Sequence, residues 1–244
     1  MSEVQLRKED GVAVVTLDAP ARRNALTLSM ARDLVEVLDE ADRDPGVGAV
    51  VVQGNGRSFC AGADLGTLAG AANDPASEET YAALSDIYAS FVRVGAVKVP
   101  TIAAVRGAAV GAGFNLALAT DLRVVGRQTR LFSGFTGLGI HPGGGHISLL
   151  SRVAGREAAA AMAVFGEEIN GERAVQLGLA WDAVEEEDVE ARAMELAHRV
   201  AGDPDLGRAV VRSFRMETAP ASLSWDVAVQ AERPSQMWSM RRKA

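Results

Sequence analysis

A chain of 244 residues, 48% hydrophobic and 23% charged, has an ordinary globular balance and is long enough for one large domain or a domain with a small appendage. Its net charge of −7 argues against nucleic acid or an anionic membrane as the main partner, so an anionic ligand would need a local basic cluster. A single cysteine excludes an internal disulfide and fits an intracellular setting. No apolar run approaches the ~20 residues of a membrane span. Met1-Ser2-Glu3 lacks a basic stretch followed by an apolar core, so a cytoplasmic protein without a signal peptide is expected.

Val4 to Arg7 and Val12 to Leu17 are short β-type runs, and Glu9-Asp10-Gly11 between them predicts a hairpin. Ala19 to Asn24 is a polar loop. A helix follows, capped by Thr27 or Ser29, with Leu28, Ala31, Leu34, Val35, Leu38 and Ala41 on one apolar face. It stops at Asp44-Pro45-Gly46. Ala49 to Val52 reads as a buried strand. It runs into Gly54 to Leu65, a turn of glycines and small residues in which Asp64 caps a helix or acts in a site. Ala69 to Ser77 predicts a mobile loop, and Ala82 to Val94 an amphipathic helix.

The stretch from Thr101 to Asp121 carries the strongest chemical signal. Thr101 to Val105 is an apolar strand, Gly107, Gly111 and Gly113 form a turn, and Phe114 to Ala119 predicts a helix. Glycines there let backbone N–H groups approach a ligand, and the first N–H groups of a helix have no partner within it. Such a turn binds an anion or a developing oxyanion, or else simply packs small residues. It is not a dinucleotide fingerprint, because Leu116 stands where a third glycine belongs. No Gly-Lys-Ser/Thr follows a glycine loop, so a P-loop is excluded.

Leu122 to Val125 and Arg130 to Ser133 are short strands. Gly134 to Gly145 is a long glycine-rich loop that holds His141 and Pro142. Ile147 to Val153, Glu157 to Phe165 and Glu172 to Leu179 are helical, and Trp181 to Val184 is a last strand. Glu185 to Asp188 reads as a solvated helix start. Val189 to Val200, Leu206 to Met216 and Trp225 to Met240 continue as helices. Alternation giving way to helices alone predicts an α/β core over 1–186 and a helical region over 187–244.

Several motifs then occur in one order: Pro20 with Asn24-Ala-Leu26, Phe59 to Leu65, Gly107 to Gly113, Asp121 to Val125, Leu138-Gly139 with Pro142 to Gly145, and Gly171 to Leu179. Together, from about Val4 to Ala201, they resemble the crotonase family, the enoyl-CoA hydratase/isomerase superfamily. The resemblance implies a crotonase-type spiral of ββα units with a C-terminal helical trimerisation region, assembled as a homotrimer or homohexamer. It implies an acyl-CoA ligand of the kind handled in fatty acid metabolism. Coenzyme A then enters as part of the substrate, with no separate cofactor and no metal. By motif position the oxyanion donors are the N–H groups of Ala63 and Ala112. Arg22, Arg23, Ala61, Asp64, Leu65 and Gly111 would border the coenzyme, the arginines facing its phosphates.

The hydratases of this family use two glutamates as acid and base. Their positions here hold Asn115 and Phe135, which exchange no proton near neutral pH. Asn115 can orient a water or a substrate group, and Phe135 makes an apolar wall. His141 is the candidate proton carrier, with His146 beside it; the alternative for each is a surface or capping role. Five residues apart across Pro142 to Gly145, they do not read as a zinc pair. Cys60 reads as a small buried hydrophobe and His198 as a surface residue. The lysine common after the Phe59 to Leu65 motif is replaced by Gly66-Thr67. Arg241 and Arg242 read as a charged helix end. Three readings stay open. One is an enzyme that stabilises a thioester enolate with unusual proton handling, better suited to isomerisation, decarboxylation or C–C cleavage than to water addition. The others are a non-catalytic acyl-CoA binder and a scaffold.

Overall fold

A computed structural model of the chain describes residues 2–64, 66, 74, 77–218 and 224–241. Its strands are β1 (Val4–Glu9), β2 (Val12–Leu17), β3 (Ala49–Gly54), β4 (Thr101–Val105), β5 (Ala108–Val110), β6 (Leu122–Gly126), β7 (Arg130–Phe132) and β8 (Asp182–Val184). The α-helices among the described residues are α1 (Leu28–Arg43), α2 (Glu78–Gly95), α3 (Ala112–Leu118), α4 (His146–Ala159), α5 (Gly171–Gln176), α6 (Val189–Ala201), α7 (Pro204–Glu217) and α8 (Trp225–Arg241). The mobile loop read over Ala69 to Ser77 lies, apart from Asp74 and Ser77, outside the described residues, as do Leu65, Thr67 and Arg242.

The hairpin forms as read. β1 and β2 pair antiparallel from Val4↔Leu17 to Glu9↔Val12, and Asp10 (φ 46) and Gly11 (φ 78) both take the positive φ of a type I′ turn. β2, β3, β4, β6 and β8 then continue in parallel, giving a six-stranded sheet in the order β1-β2-β3-β4-β6-β8. Parallel strands covered on both faces read as unbroken apolar runs, as Val12 to Val15 and Ala49 to Val52 do. Alternate residues serve opposite faces. Ala13, Val15, Val50, Val52, Ala103 and Val105 join the main core with Met30, Leu34 and Leu38 of α1 and Leu84, Ile87 and Phe91 of α2. Val12, Val14, Val51, Ile102 and Val124 meet Val189, Ala193, Ala197 and Ala201 of α6. Each buried Val or Ile is worth ~1.5–3 kcal/mol. The helix read as the start of the tail therefore closes the second face of the sheet. Its i, i+4 alanines let it lie close.

A second layer stitches the turns together. It consists of the parallel pair β5–β7 and the single bridges Leu26↔Ala63, Cys60↔Ala109 and Leu131↔Ile169. β5 lies inside the stretch read as a plain glycine turn, and α3 begins at Ala112 rather than Phe114. The three residues of β5 have no local signal, because their partners are distant in sequence. The acidic run also differs from its reading. Glu186 turns inward, where its carboxylate accepts from the Gly107 N–H (3.0 Å) and the Thr129 hydroxyl (3.2 Å).

Asn24 anchors this layer. It is buried, at φ 55, and its Oδ1 accepts from the Ala19 N–H at 2.8 Å. Its Nδ2 faces the carbonyls of Asn55, Ser58 and Phe59 at 2.9, 2.8 and 3.2 Å. Asn24→Ala leaves several of these groups buried and unpaired, at ~1–3 kcal/mol each. A stability loss of about 3 kcal/mol is expected. It should appear in urea unfolding as a lower midpoint at unchanged slope; a midpoint like that of the unmodified protein would refute the anchoring role.

Candidate active site

The two glycine turns meet through backbone hydrogen bonds. The Cys60 N–H donates to Ala108 O at 3.1 Å, and the Val110 N–H donates to Cys60 O at 3.0 Å. A Cβ on Gly113 would stand 2.3 Å from Cys60 O, so only glycine allows the approach. Just beyond the stitch, Leu26 N–H donates to Gly62 O (2.7 Å) and Asp64 N–H to Leu26 O (2.9 Å). In this parallel pairing the N–H of Ala63 itself points the other way. Ala112 is the first residue of α3, whose N–H has no acceptor within the helix. Among the described residues neither N–H finds another backbone acceptor.

Both alanines line one cavity of ≈ 330 Å³. Arg22, Ala61, Asp64, Gly111, Asn115 and Phe135, all named from the sequence, line it too. Leu84, Ile87, Tyr88 and Phe91 of α2 make its apolar wall, and Gln236 of α8 reaches it from the C-terminal side. Gly111 has φ 52, and a Cβ there would lie 3.4 Å from Ser133 O and 3.7 Å from Phe135 Cζ.

Behind this wall runs a chain of three polar side chains. Asn115 and Ser133 are each 1% exposed and His146 is 0% exposed. Asn115 Nδ2 donates to the Gly143 carbonyl at 3.0 Å, which turns its Oδ1 toward His146 Nδ1 at 2.6 Å. A carbonyl oxygen only accepts, so Nδ1 carries the proton. Nε2 then accepts from the Ser133 hydroxyl, also at 2.6 Å. Burial among Phe114, Phe135 and these partners depresses the His146 pKa to about 3, so the ring is neutral. Ser133 itself lines the cavity. The sequence left His146 open between a proton carrier and a surface or capping residue, and did not single out Ser133. A serine ending a strand and a histidine opening a helix carry no local sign of their pairing.

The other named residues are placed as follows. His141 does not line the cavity; its Nδ1 lies 2.6 Å from the Pro142 carbonyl and its N–H donates to Ser239 Oγ at 2.8 Å. The candidate proton carrier is thus turned to its own backbone. Arg22 reaches the cavity, but both its terminal nitrogens donate to the Glu3 carboxylate, and its Nε to Ala25 O at 3.0 Å. Arg23 is exposed and outside the cavity lining; its carbonyl accepts from the Ala61 N–H at 3.0 Å. Cys60 is buried, and desolvation pushes its thiol up to about 12, which fits a small inert hydrophobe. His198 is exposed on α6. No cluster that could hold a metal occurs among the described residues, and no described helix is long and apolar enough to cross a membrane.

The profile of the enoyl-CoA hydratase/isomerase family matches residues 7–237. The chain belongs to this family. It is 41% identical over 231 residues to a Mycobacterium tuberculosis protein named "Probable enoyl-CoA hydratase EchA14", covering 94% of this chain and 88% of the relative. It is 34% identical over 205 residues to the Escherichia coli 1,2-epoxyphenylacetyl-CoA isomerase, covering 84% and 78%. Among solved structures, an enoyl-CoA hydratase from Mycobacterium avium subsp. paratuberculosis superposes with a TM-score of 0.85 at 25% identity, covering 99% of this chain and 95% of that one. The mixed α/β architecture is the crotonase-type fold of this family.

His146 makes stability depend on pH. The free side chain titrates near 6.5 and the folded one near 3. Between these values the unfolded chain holds a proton the folded chain lacks, so this contribution is lost as pH falls through that window. Glu232 acts in the opposite sense between 4.5 and about 7, because burial raises its carboxyl. The test is therefore a difference. Between pH 3 and 6.5 the unmodified protein should lose stability more steeply than His146→Gln, by up to ~1.4 kcal/mol per pH unit. Parallel curves from pH-dependent urea unfolding would show that His146 is not held neutral.

Proposed function

We propose that the protein binds an acyl-CoA thioester with its carbonyl oxygen between the N–H groups of Ala63 and Ala112, and stabilises the negative charge that develops there. The observation that carries this reading is the pair of backbone N–H groups that have no backbone acceptor among the described residues and whose residues line one apolar cavity. Such donors cost no reorganisation when charge appears, and one is worth about 10²–10³-fold in kcat. Coenzyme A is then part of the substrate. Arg22 is committed to Glu3, so the phosphates would draw on it only partly, and on Arg23 at the surface.

Ordinary water addition does not suit the site. The Asn115 amide is engaged by Gly143 and His146, and Phe135 presents a ring where a carboxylate would be needed. Relatives carry both hydratase and isomerase names, and the isomerase-like reading, through an enolate, fits better here. Acyl-CoA binding without turnover is the second reading; the same two side chains favour it. Binding of acyl-CoA with an isotope-labelled thioester carbonyl should shift its infrared stretch to lower frequency. An unshifted carbonyl in a bound ligand would sink the oxyanion assignment. Hydration of crotonyl-CoA should fall far below an ordinary turnover of ~10 s⁻¹, since each absent acid or base forfeits about 10²–10⁴-fold. Asn115→Glu alone should not restore it.

The assembly we propose is a homotrimer or homohexamer. α7 exposes Leu206, Val210 and Phe214 at i, i+4, i+8, a stripe of 59%, 56% and 49% exposure. Phe214→Glu places a charge in that stripe, so light scattering should show the oligomer dissociating. A monomeric unmodified protein at micromolar concentration would end this proposal.

A further inference from the structure

We propose that Ser133, His146 and Asn115 form a nucleophilic relay through which the protein hydrolyses an acyl-CoA thioester by way of an acyl-Ser133 intermediate. The inference rests on the acyl-CoA reading above and goes beyond it by adding a nucleophile and a reaction. The arrangement meets the geometric requirements of an activated serine: a hydroxyl within hydrogen-bond reach of a base, and the base oriented by a third group. Ser133 Oγ and His146 Nε2 are 2.6 Å apart, as are His146 Nδ1 and Asn115 Oδ1. The Asn115 amide cannot turn without losing the Gly143 carbonyl, so the productive tautomer, protonated at Nδ1, is held.

The register supplies the second half of the argument. β5 and β7 pair Ala108↔Arg130, Ala109↔Leu131 and Val110↔Phe132, which brings Ser133 opposite Gly111. A Cβ on Gly111 would lie 3.4 Å from Ser133 O. The next residue, Ala112, carries one of the two proposed oxyanion donors. Ser133 therefore lines the cavity beside Gly111, one residue before the donor that would hold the thioester oxygen.

In the first half-reaction, Ser133 Oγ bonds to the thioester carbon as its proton passes to His146 Nε2. The carbonyl electron pair moves onto the oxygen between Ala63 and Ala112. Collapse breaks the C–S bond, and His146 returns the proton to the departing sulfur, releasing coenzyme A as the thiol. In the second, His146 takes a proton from water as the water oxygen attacks the acyl-serine carbon. The Oγ–C bond breaks, Ser133 recovers its proton from His146, and the carboxylic acid leaves. The net change is one thioester and one water to one acid and one thiol, with no oxidant or reductant.

The test is release of thiol from saturated acyl-CoAs of graded chain length, followed with a chromogenic disulfide reagent. The protein adds little background, because its one cysteine, Cys60, is buried. Thiol release well above the spontaneous rate, lowered at least ~10²-fold by Ser133→Ala, supports the relay. With Ser133→Cys, intact mass should show a covalent adduct of the acyl mass. Undiminished release by Ser133→Ala overturns the proposal, as does release no faster than in buffer. Calorimetry of the unmodified protein with a non-hydrolysable thioether analogue separates the two claims. Binding without thiol release removes the relay alone; no binding removes the acyl-CoA reading as well.

Discussion

Two backbone hydrogen bonds between Cys60 and the edge of β5 are the constraint on which the site depends. They draw together chain segments about fifty residues apart. Such closeness admits only small residues, which is why Gly113 sits against Cys60 O and why the neighbours of the stitch are alanine and glycine. Asn24 holds the outer side of the same junction, and Glu186 holds the Gly107 end. Buried backbone donors are almost always paired. Among the described residues the N–H groups of Ala63 and Ala112 have no backbone acceptor, which is why the proposed thioester oxygen is assigned to them.

The glycine-rich loop after β7 follows the same logic. Its glycines serve close contact as well as backbone freedom, Gly134, Gly139, Gly144 and Gly145 all taking positive φ. A Cβ on Gly143 would fall 2.1 Å from the Gln236 side chain, and one on Gly145 would fall 2.3 Å from Trp225. α8 thereby packs directly on the loop. Trp225 Nε1 donates to Gly144 O at 3.0 Å, and the Glu232 carboxylate accepts from the N–H groups of Gly145, His146 and Ile147. Glu232 thus caps α4 from another helix, at the cost of burying its own carboxyl. The backbone of His146 is fixed by α8 and its ring by Asn115 and Ser133, so the C-terminal helix contributes to the geometry of the site without supplying its reactive groups.

An apolar cavity backed by a neutral, fully bonded polar chain is an economical arrangement. His146 avoids the penalty of a buried charge by remaining neutral. A negative charge forming near the two donors would ease its protonation, since the imidazolium then has an anion nearby. On the proposed reading, the donors of Ala63 and Ala112 and the imidazole of His146 would therefore be coupled electrostatically as well as through the β5–β7 register.

Local chemistry alone determined much of this protein. Asp10-Gly11 specified the hairpin, the apolar run of β3 specified a buried strand, and Thr27 or Ser29 specified the start of α1, where the Thr27 hydroxyl accepts from the Met30 N–H. The ordered glycine and alanine motifs carried the resemblance to the family, which by motif position named Ala63 and Ala112, and both line the cavity. Side-chain partnership across the fold leaves none. That Glu186 turns inward, that α6 closes the sheet and that His141 faces its own backbone while His146 meets Ser133 and Asn115 were decided by tertiary packing. Each outcome depends on which distant surface an otherwise unremarkable residue meets, and a one-dimensional pattern holds no record of that distance.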